Sequence, residues 1–116
     1  MLQFAMTKLA FFTSLLHNAN VLIQGLAGLE GFLKKHAAAR TPMVRWVAVA
    51  EAASWRSIID MRETLPTADA IKGTNLTCFN IGGNNFRLLA IVSYQRQEIF
   101  VQELMTHPEY SRKFVR

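Results

Sequence analysis

The stretch Leu76-Thr77-Cys78-Phe79-Asn80-Ile81-Gly82-Gly83-Asn84-Asn85-Phe86-Arg87-Leu88-Leu89-Ala90-Ile91-Val92-Ser93-Tyr94 decides how this chain folds. Two β-rich runs, Leu76 to Ile81 and Phe86 to Tyr94, flank a Gly-Gly-Asn-Asn segment. Glycine and asparagine supply the positive φ that a tight strand reversal needs. A third β-rich run, Ile99 to Met105, follows Gln95-Arg96-Gln97. Two short connections in succession predict a three-stranded antiparallel meander. Alternation sorts its side chains. Phe86, Leu88, Ala90 and Val92, joined by Ile99, Val101 and Met105, form a nearly pure hydrocarbon face that should receive helices. Arg87, Leu89, Ile91 and Ser93, with Phe100, Gln102 and Leu104, form a mixed face that should serve as the floor of a partly exposed binding surface. Glu103 falls on the apolar face in this scheme, where an unpaired charge is costly, so it needs a partner such as Arg62 or a place at the rim.

Pairing arithmetic locates a candidate site. With a two-residue loop Tyr94 faces Gln97 and Arg87 faces Leu104; a loop longer by two puts Arg87 opposite Thr106. In both cases Arg87 lies where the last strand delivers His107 and the segment Pro108 to Val115, so a cation, an imidazole and the phenol of Tyr110 converge at one end of the sheet. Thr106-His107-Pro108-Glu109 has the spacing of a helix capping box, which accounts for Thr106 and Glu109 without chemistry. His107 as a surface residue at a helix start, and Arg87 as a solvated strand residue paired to Glu109, are the bland alternatives.

Upstream, Val21-Leu22-Ile23 reads as a short strand ended by Gly25. Leu26, Leu29, Phe32 and Leu33 then recur at helical spacing up to Lys34-Lys35-His36, whose cations suit a helix C-terminus. Thr41 before Pro42 is a helix start, a capping side chain followed by a proline that needs no amide hydrogen bond. The helix should run from Pro42 to about Ala53 and bury Val44, Val47 and Ala48. Trp55 to Glu63 reads as a third helical piece, stopped by Thr64-Leu65-Pro66. The fold class is therefore α+β, with an N-terminal strand and helices packed on an antiparallel β-meander.

A length of 116 residues, 51% of them hydrophobic, supports one compact domain with a real core. Cys78, the single thiol, excludes an internal disulfide framework and a Cys-rich zinc site, and fits a reducing cytosolic compartment. No uninterrupted apolar stretch approaches the roughly 20 residues of a membrane-spanning helix. The net charge is +5, and Lys8 is the only charged side chain before Glu30. That excess suits a polyanion such as nucleic acid, and equally an ordinary solvated surface. Gly82-Gly83 leads into a strand rather than a helix, so it reads as a turn and not a phosphate cradle. No Ser-His-Asp, HExxH or paired-carboxylate pattern is present, and His17 and His36 have no visible companions. Residues Met1 to Asn20 place Lys8 before the apolar run Leu9 to Leu16 but supply a poor cleavage site, so an extra helix or a start codon assigned too far upstream is expected there. On that reading the domain proper is residues 21–116.

Phe79-Asn80-Ile81-Gly82-Gly83-Asn84-Asn85-Phe86-Arg87-Leu88, followed after one strand by Met105-Thr106-His107-Pro108-Glu109-Tyr110, resembles the HigB toxins of the RelE-like superfamily, the toxin half of bacterial type II toxin-antitoxin pairs. Trp55, Asp60-Met61-Arg62 and Leu65-Pro66-Thr67-Ala68-Asp69 are similar to the family's middle segment, so the resemblance runs from about Val21 to Arg116. It implies a RelE-like fold and a cytoplasmic endoribonuclease that cuts messenger RNA on the translating ribosome, without metal or cofactor. It also implies inhibition by a HigA-type helix-turn-helix antitoxin and contact with operator DNA through the toxin-antitoxin complex. Carried over, the catalytic positions are Arg87, His107 and Tyr110, and the RNA-binding positions are Lys72, Asn84, Arg87 and Gln102. Gln102 stands where relatives often carry a basic residue, and Ser111 where an acidic one is common. Metal-free cleavage uses the 2'-hydroxyl against the adjacent phosphate and needs a base, an acid for the leaving 5'-oxygen and a cation. Arg87 supplies a donor fork, His107 a group that titrates near neutrality, and Glu109 is a possible base. A fold of this kind without turnover, acting through the ribosome or through antitoxin and operator DNA, is the alternative.

Overall fold

The computed structural model describes residues 20–114. Strands β3 (Thr77–Ile81), β4 (Phe86–Ser93) and β5 (Glu98–Thr106) form the antiparallel meander, flanked by β1 (Leu22–Gln24) on β5 and β2 (Asp69–Ala70) on β3, in the order β1-β5-β4-β3-β2. β1 pairs parallel to β5, which its long helical crossover permits. Gly25 ends β1 at φ 92°, and a Cβ there would sit 2.4 Å from the carbonyl oxygen of Val101, so only glycine lets the chain turn away this close to β5. β2, two residues long, was not foreseen. The N-terminal expectations for Met1 to Ala19, and His17 with them, lie outside the described residues.

The register at the β4–β5 turn follows the shorter-loop alternative, with Ser93 opposite Glu98. A β-bulge then intervenes: Ala90 pairs with Val101 but Leu89 pairs with Glu103, leaving Gln102 as the extra residue. Arg87 consequently faces Met105, midway between the two positions the arithmetic allowed. The bulge reverses the alternation beyond it and corrects three expectations. Leu104 joins Leu88 in the main core, and Met105 lies on the opposite face with Cys78 and Leu89. Glu103 also emerges on that second face, where Lys113 holds it at 3.4 Å. Arg62 is engaged elsewhere, by Asp69 and the carbonyl of Ala68.

The helices are less regular than their apolar spacing implies. Leu26–Leu29 forms a 3-10 turn before α1 (Glu30–Lys35), in a stretch where Gly28 and Gly31 weaken a continuous α-helix. α2 (Arg40–Ala52) starts two residues before Pro42, led in by a 3-10 turn at Ala37–Ala39, and no side chain caps it. Thr41 is thus an exposed first-turn residue and not the cap. Its buried stripe is Met43, Trp46, Val47 and Ala50; Val44 is half-buried and Ala48 exposed. The shifted stripe brings the largest side chain inward, with Trp46 edge-on to Phe79 at 5.1 Å. α3 (Ile58–Thr64) starts later than Trp55 because Ser57 caps it, Oγ accepting from the Asp60 amide. These elements pack on the first face of the sheet. α4 (His107–Phe114) crosses to the second, where Tyr110 and Phe114 cover Cys78, Leu89 and Met105. Leu22 stays exposed, and Ile91 and Phe100 half-exposed, so only part of that face is open as expected.

Candidate functional site

The turn between β3 and β4 and the start of α4 meet at one end of the sheet. Gly82 and Gly83 both take left-handed φ, 64° and 68°, and let the chain reverse so that Asn84 and Asn85 lie beside the end of β5. The His107 amide donates to the Asn85 carbonyl at 2.9 Å. The capping box forms as read: the Thr106 amide donates to Glu109 Oε1 at 2.8 Å and the Glu109 amide to Thr106 Oγ1 at 3.2 Å. α4 therefore starts at a defined place and holds His107 over the turn.

Arg87 is 8% exposed. Its Nη1 donates to the carbonyls of Asn84 (3.2 Å) and Phe86 (3.1 Å), and its Nη2 to Asn84 Oδ1 (2.5 Å), with His107 Nδ1 3.0 Å away. Of the five N–H groups of the guanidinium, three are committed to oxygens inside the protein and a fourth meets His107 Nδ1 when that nitrogen carries no proton. The guanidinium carbon lies 5.8 Å from the centre of the Tyr110 ring. Arg87 is not paired to Glu109, which the cap occupies.

His107 Nδ1 is 3.0 Å from Arg87 Nη2 and also 3.0 Å from the Asn84 carbonyl oxygen. A bare Nδ1 accepts from the guanidinium, and a protonated Nδ1 donates to the carbonyl. Both states are thus hydrogen-bonded on the same nitrogen, while Nε2 makes no hydrogen bond among the described residues. A ring held at one nitrogen with the other free is the arrangement proton transfer needs.

Tyr110 is held differently. Its hydroxyl donates to Cys78 Sγ; burial, with the charge and hydrogen bond of Cys78, pushes its pKa up to about 12. It is a neutral phenol at physiological pH, with its O–H turned to the sheet. Burial also raises the Cys78 thiol. The hydrogen bond from the Thr106 amide holds Glu109 below the usual carboxylate range, with help from the charge of His36. A carboxylate so stabilised is a weaker base.

The structure thus gathers Arg87, Asn84, His107 and Tyr110 and leaves two predicted residues apart. Lys72 is exposed in the β2–β3 turn, beyond Thr77, while Asn80 is the β3 residue opposite Arg87. Three residues of strand, about 10 Å, separate those positions. Gln102 is exposed at the bulge, its Nε2 donating to the Phe100 carbonyl. Sequence reading missed His36, which stacks on Phe32 at 4.3 Å and meets the edge of Phe86 at 6.0 Å, so it does have companions. Its only sequence signal was its position at the end of α1. Among the described residues no three His, Cys, Asp or Glu side chains are gathered as a metal ion would require, and no helix is long and apolar enough to cross a membrane.

Comparison with known proteins gives two findings. The family described as HigB_toxin, RelE-like toxic component of a toxin-antitoxin system, matches residues 39–113. A segment of 32 residues is 47% identical to the mRNA interferase toxin HigB of Escherichia coli (strain K12) and, at the same identity and length, to the mRNA interferase HigB of Escherichia coli O157:H7 and that of Shigella flexneri. The segment covers 28% of this chain and 31% of each relative, so the match spans about a third of the relatives' length.

Proposed function

The chain belongs to the HigB family of RelE-like toxins, the toxic components of toxin-antitoxin systems, and on that premise we propose that it is an endoribonuclease that cuts messenger RNA and so stops translation. The observation that carries this reading is the convergence of Arg87, Asn84 and His107, with Nε2 of the imidazole free. The relatives whose names state mRNA interferase activity support the substrate class.

In the proposed reaction the 2'-hydroxyl loses its proton to water and attacks the adjacent phosphate, and the 5'-oxygen leaves. His107 Nε2 delivers the proton to that oxygen. As Nε2 gives up its proton the ring becomes the neutral tautomer that keeps the Nδ1 proton, so Nδ1 goes on donating to the Asn84 carbonyl and the ring is held through the step. Arg87 orients Asn84, whose carbonyl holds His107, adds its charge to the phosphate's surroundings, and with Nδ1 protonated keeps Nε–H and one Nη2–H uncommitted. Tyr110 supports the guanidinium through its ring face. The chemistry asks for no metal and no cofactor. The active domain is residues 21–116, the compartment the cytoplasm, the setting the translating ribosome, and the inhibitor a HigA-type helix-turn-helix antitoxin that also carries the complex to operator DNA.

The test is induction of this chain alone in a bacterium, with end-mapping of its messages. Growth arrest, new 5'-hydroxyl ends within translated frames, and rescue by the antitoxin are expected; normal growth with soluble protein accumulating would overturn the reading. One observation favours a second reading, a binder without turnover: three of the five Arg87 donors are already used inside the protein whatever the state of His107. Slowed translation with intact messages would select it.

A further inference from the structure

We propose that the groove between α2 and the outer edge of β3 is a subsite for a nucleotide next to the one cut, with an unstacked base against Pro42 and Val49 and a backbone phosphate on Arg45. The proposal rests on the RNA-cleaving reading above. The groove is open and holds about 250 Å³, bounded by Pro42, Arg45, Trp46 and Val49 on one side and by Asn80 and Gly83 on the other.

Four observations point to a nucleotide. First, among the described residues Arg45 is the only ionisable side chain on its walls, and it is exposed and makes no ion pair or side-chain hydrogen bond with them. A cation left unpaired beside a cleft without carboxylates is suited to an anionic backbone. Second, Asn80 belongs to both places. It lines the groove, it is the strand partner of Arg87, and its side chain makes no hydrogen bond among the described residues. Its side chain shares the face of Cys78 and Arg87, so Asn80 links the groove at the sheet's edge to the Arg87 side, and a strand held at Arg87 and His107 has to cross only one strand spacing, about 4.8 Å, to reach it. Third, β2 pairs only with Thr77 and Cys78, so among the described residues no strand covers the edge of β3 toward the turn. At Gly83 a Cβ would meet nothing within 4 Å, so bare backbone is open to approach. Fourth, the volume lies below the roughly 300–1,000 Å³ typical of pockets that enclose a whole small molecule. It suits one base, with apolar Pro42 and the 37%-exposed Val49 as its platform.

The experiment measures affinity of the full chain for a 2'-O-methyl oligonucleotide pool, which cannot be cut, across a salt series. The parent is compared with Arg45→Gln and with Val49→Trp, which fills the groove. Both variants should melt at the parent temperature and bind about tenfold more weakly. Arg45→Gln should also reduce the slope of log affinity against log salt by about 0.7, the share of one phosphate contact to a single strand. Equal affinity and slope in parent and variants would overturn the subsite while leaving the parent's cleavage, and hence the functional reading, in place. A parent that neither binds nor cuts RNA would overturn both. If the parent acts only on ribosomes, the comparison is the yield of cut message there: a tenfold drop is expected, and no drop overturns the subsite. If the variants lose the antitoxin and keep RNA, the groove is a protein-docking surface and the proposal fails.

Discussion

Replacing Arg87 tests whether it positions the site or only fills space. The side chain is buried and bonds to the Asn84 and Phe86 carbonyls, Asn84 Oδ1 and His107 Nδ1. Hydrogen bonds to a charged group contribute roughly 1.5–3 kcal/mol each, less where water replaces the lost partner. Asn84 is exposed and regains water, whereas the bond to the Phe86 carbonyl is buried. A loss of about 2–4 kcal/mol for Arg87→Ala follows, and at about 4–8 °C per kcal/mol the melting temperature should fall by roughly 10–30 °C. Cleavage measured below that transition should fall about a hundredfold or more, the range by which general-acid catalysis contributes, because the imidazole is no longer held in place. Arg87→Lys should recover little of either, because an ammonium cannot span four acceptors arranged for a planar fork. The deciding assay is a double-mutant cycle with His107→Ala, scored as 5'-hydroxyl ends per message. If Arg87 acts through His107, the double variant is no slower than the slower single one. Fully additive losses, or an Arg87→Lys protein that melts and cuts like the parent, would refute the positioning argument.

Four further outcomes are expected. His107→Ala should slow cleavage, and a 5'-bridging phosphorothiolate, whose leaving group needs no acid, should recover most of the loss; equal slowing on both substrates would remove His107 as the acid. The lowered Glu109 carboxyl contributes stability above its ordinary value of 4.5 that is lost as pH falls through its folded value, so Glu109→Gln should show a flatter acid limb in thermal melts. Tyr110, raised from 10.0 to about 12, contributes stability that is complete below pH 10 and lost as pH rises toward 12, so Tyr110→Phe should flatten the alkaline limb and remove one of two late-ionising phenols from the absorbance titration, burial raising Tyr94 as well. Deleting Gln102 removes the bulge and closes a regular ladder in which Val101 and Leu104 still face the main core and Met105 the other side, so circular dichroism should report cooperative unfolding like the parent's; loss of a cooperative melt would mean that the bulge itself is needed for the register beyond it.

Local chemistry carried much of the fold. The meander was legible because Gly82-Gly83-Asn84-Asn85 can do little but turn, and the capping box because Thr106 and Glu109 satisfy each other's amides without help from the rest of the chain. The α2 start was misread for the complementary reason. Thr41-Pro42 is a sound local signal, but the 3-10 turn at Ala37–Ala39 already runs into the helix, so no cap is required. The buried stripe shifted because Trp46 has Phe79 to pack on, a partner more than thirty residues away that helical spacing alone does not reveal.

The bulge shows most directly why the site was half legible. Alternation in β5 is consistent with its residues read as an unbroken strand, and nothing local marks Gln102 as supernumerary. The extra residue is tolerated because both faces beyond it still find apolar neighbours: Leu104 against Leu88 on one side, Met105 with Cys78 and Leu89 on the other. Its effect is to place Met105 opposite Arg87, on the face that α4 covers. That cover is what turns an arginine expected at a solvated sheet end into a buried one, with Tyr110 beside it and His107 bonded to it. The convergence of the three residues followed from topology and was predictable. Their division of labour depended on burial, which a single insertion in the neighbouring strand decides.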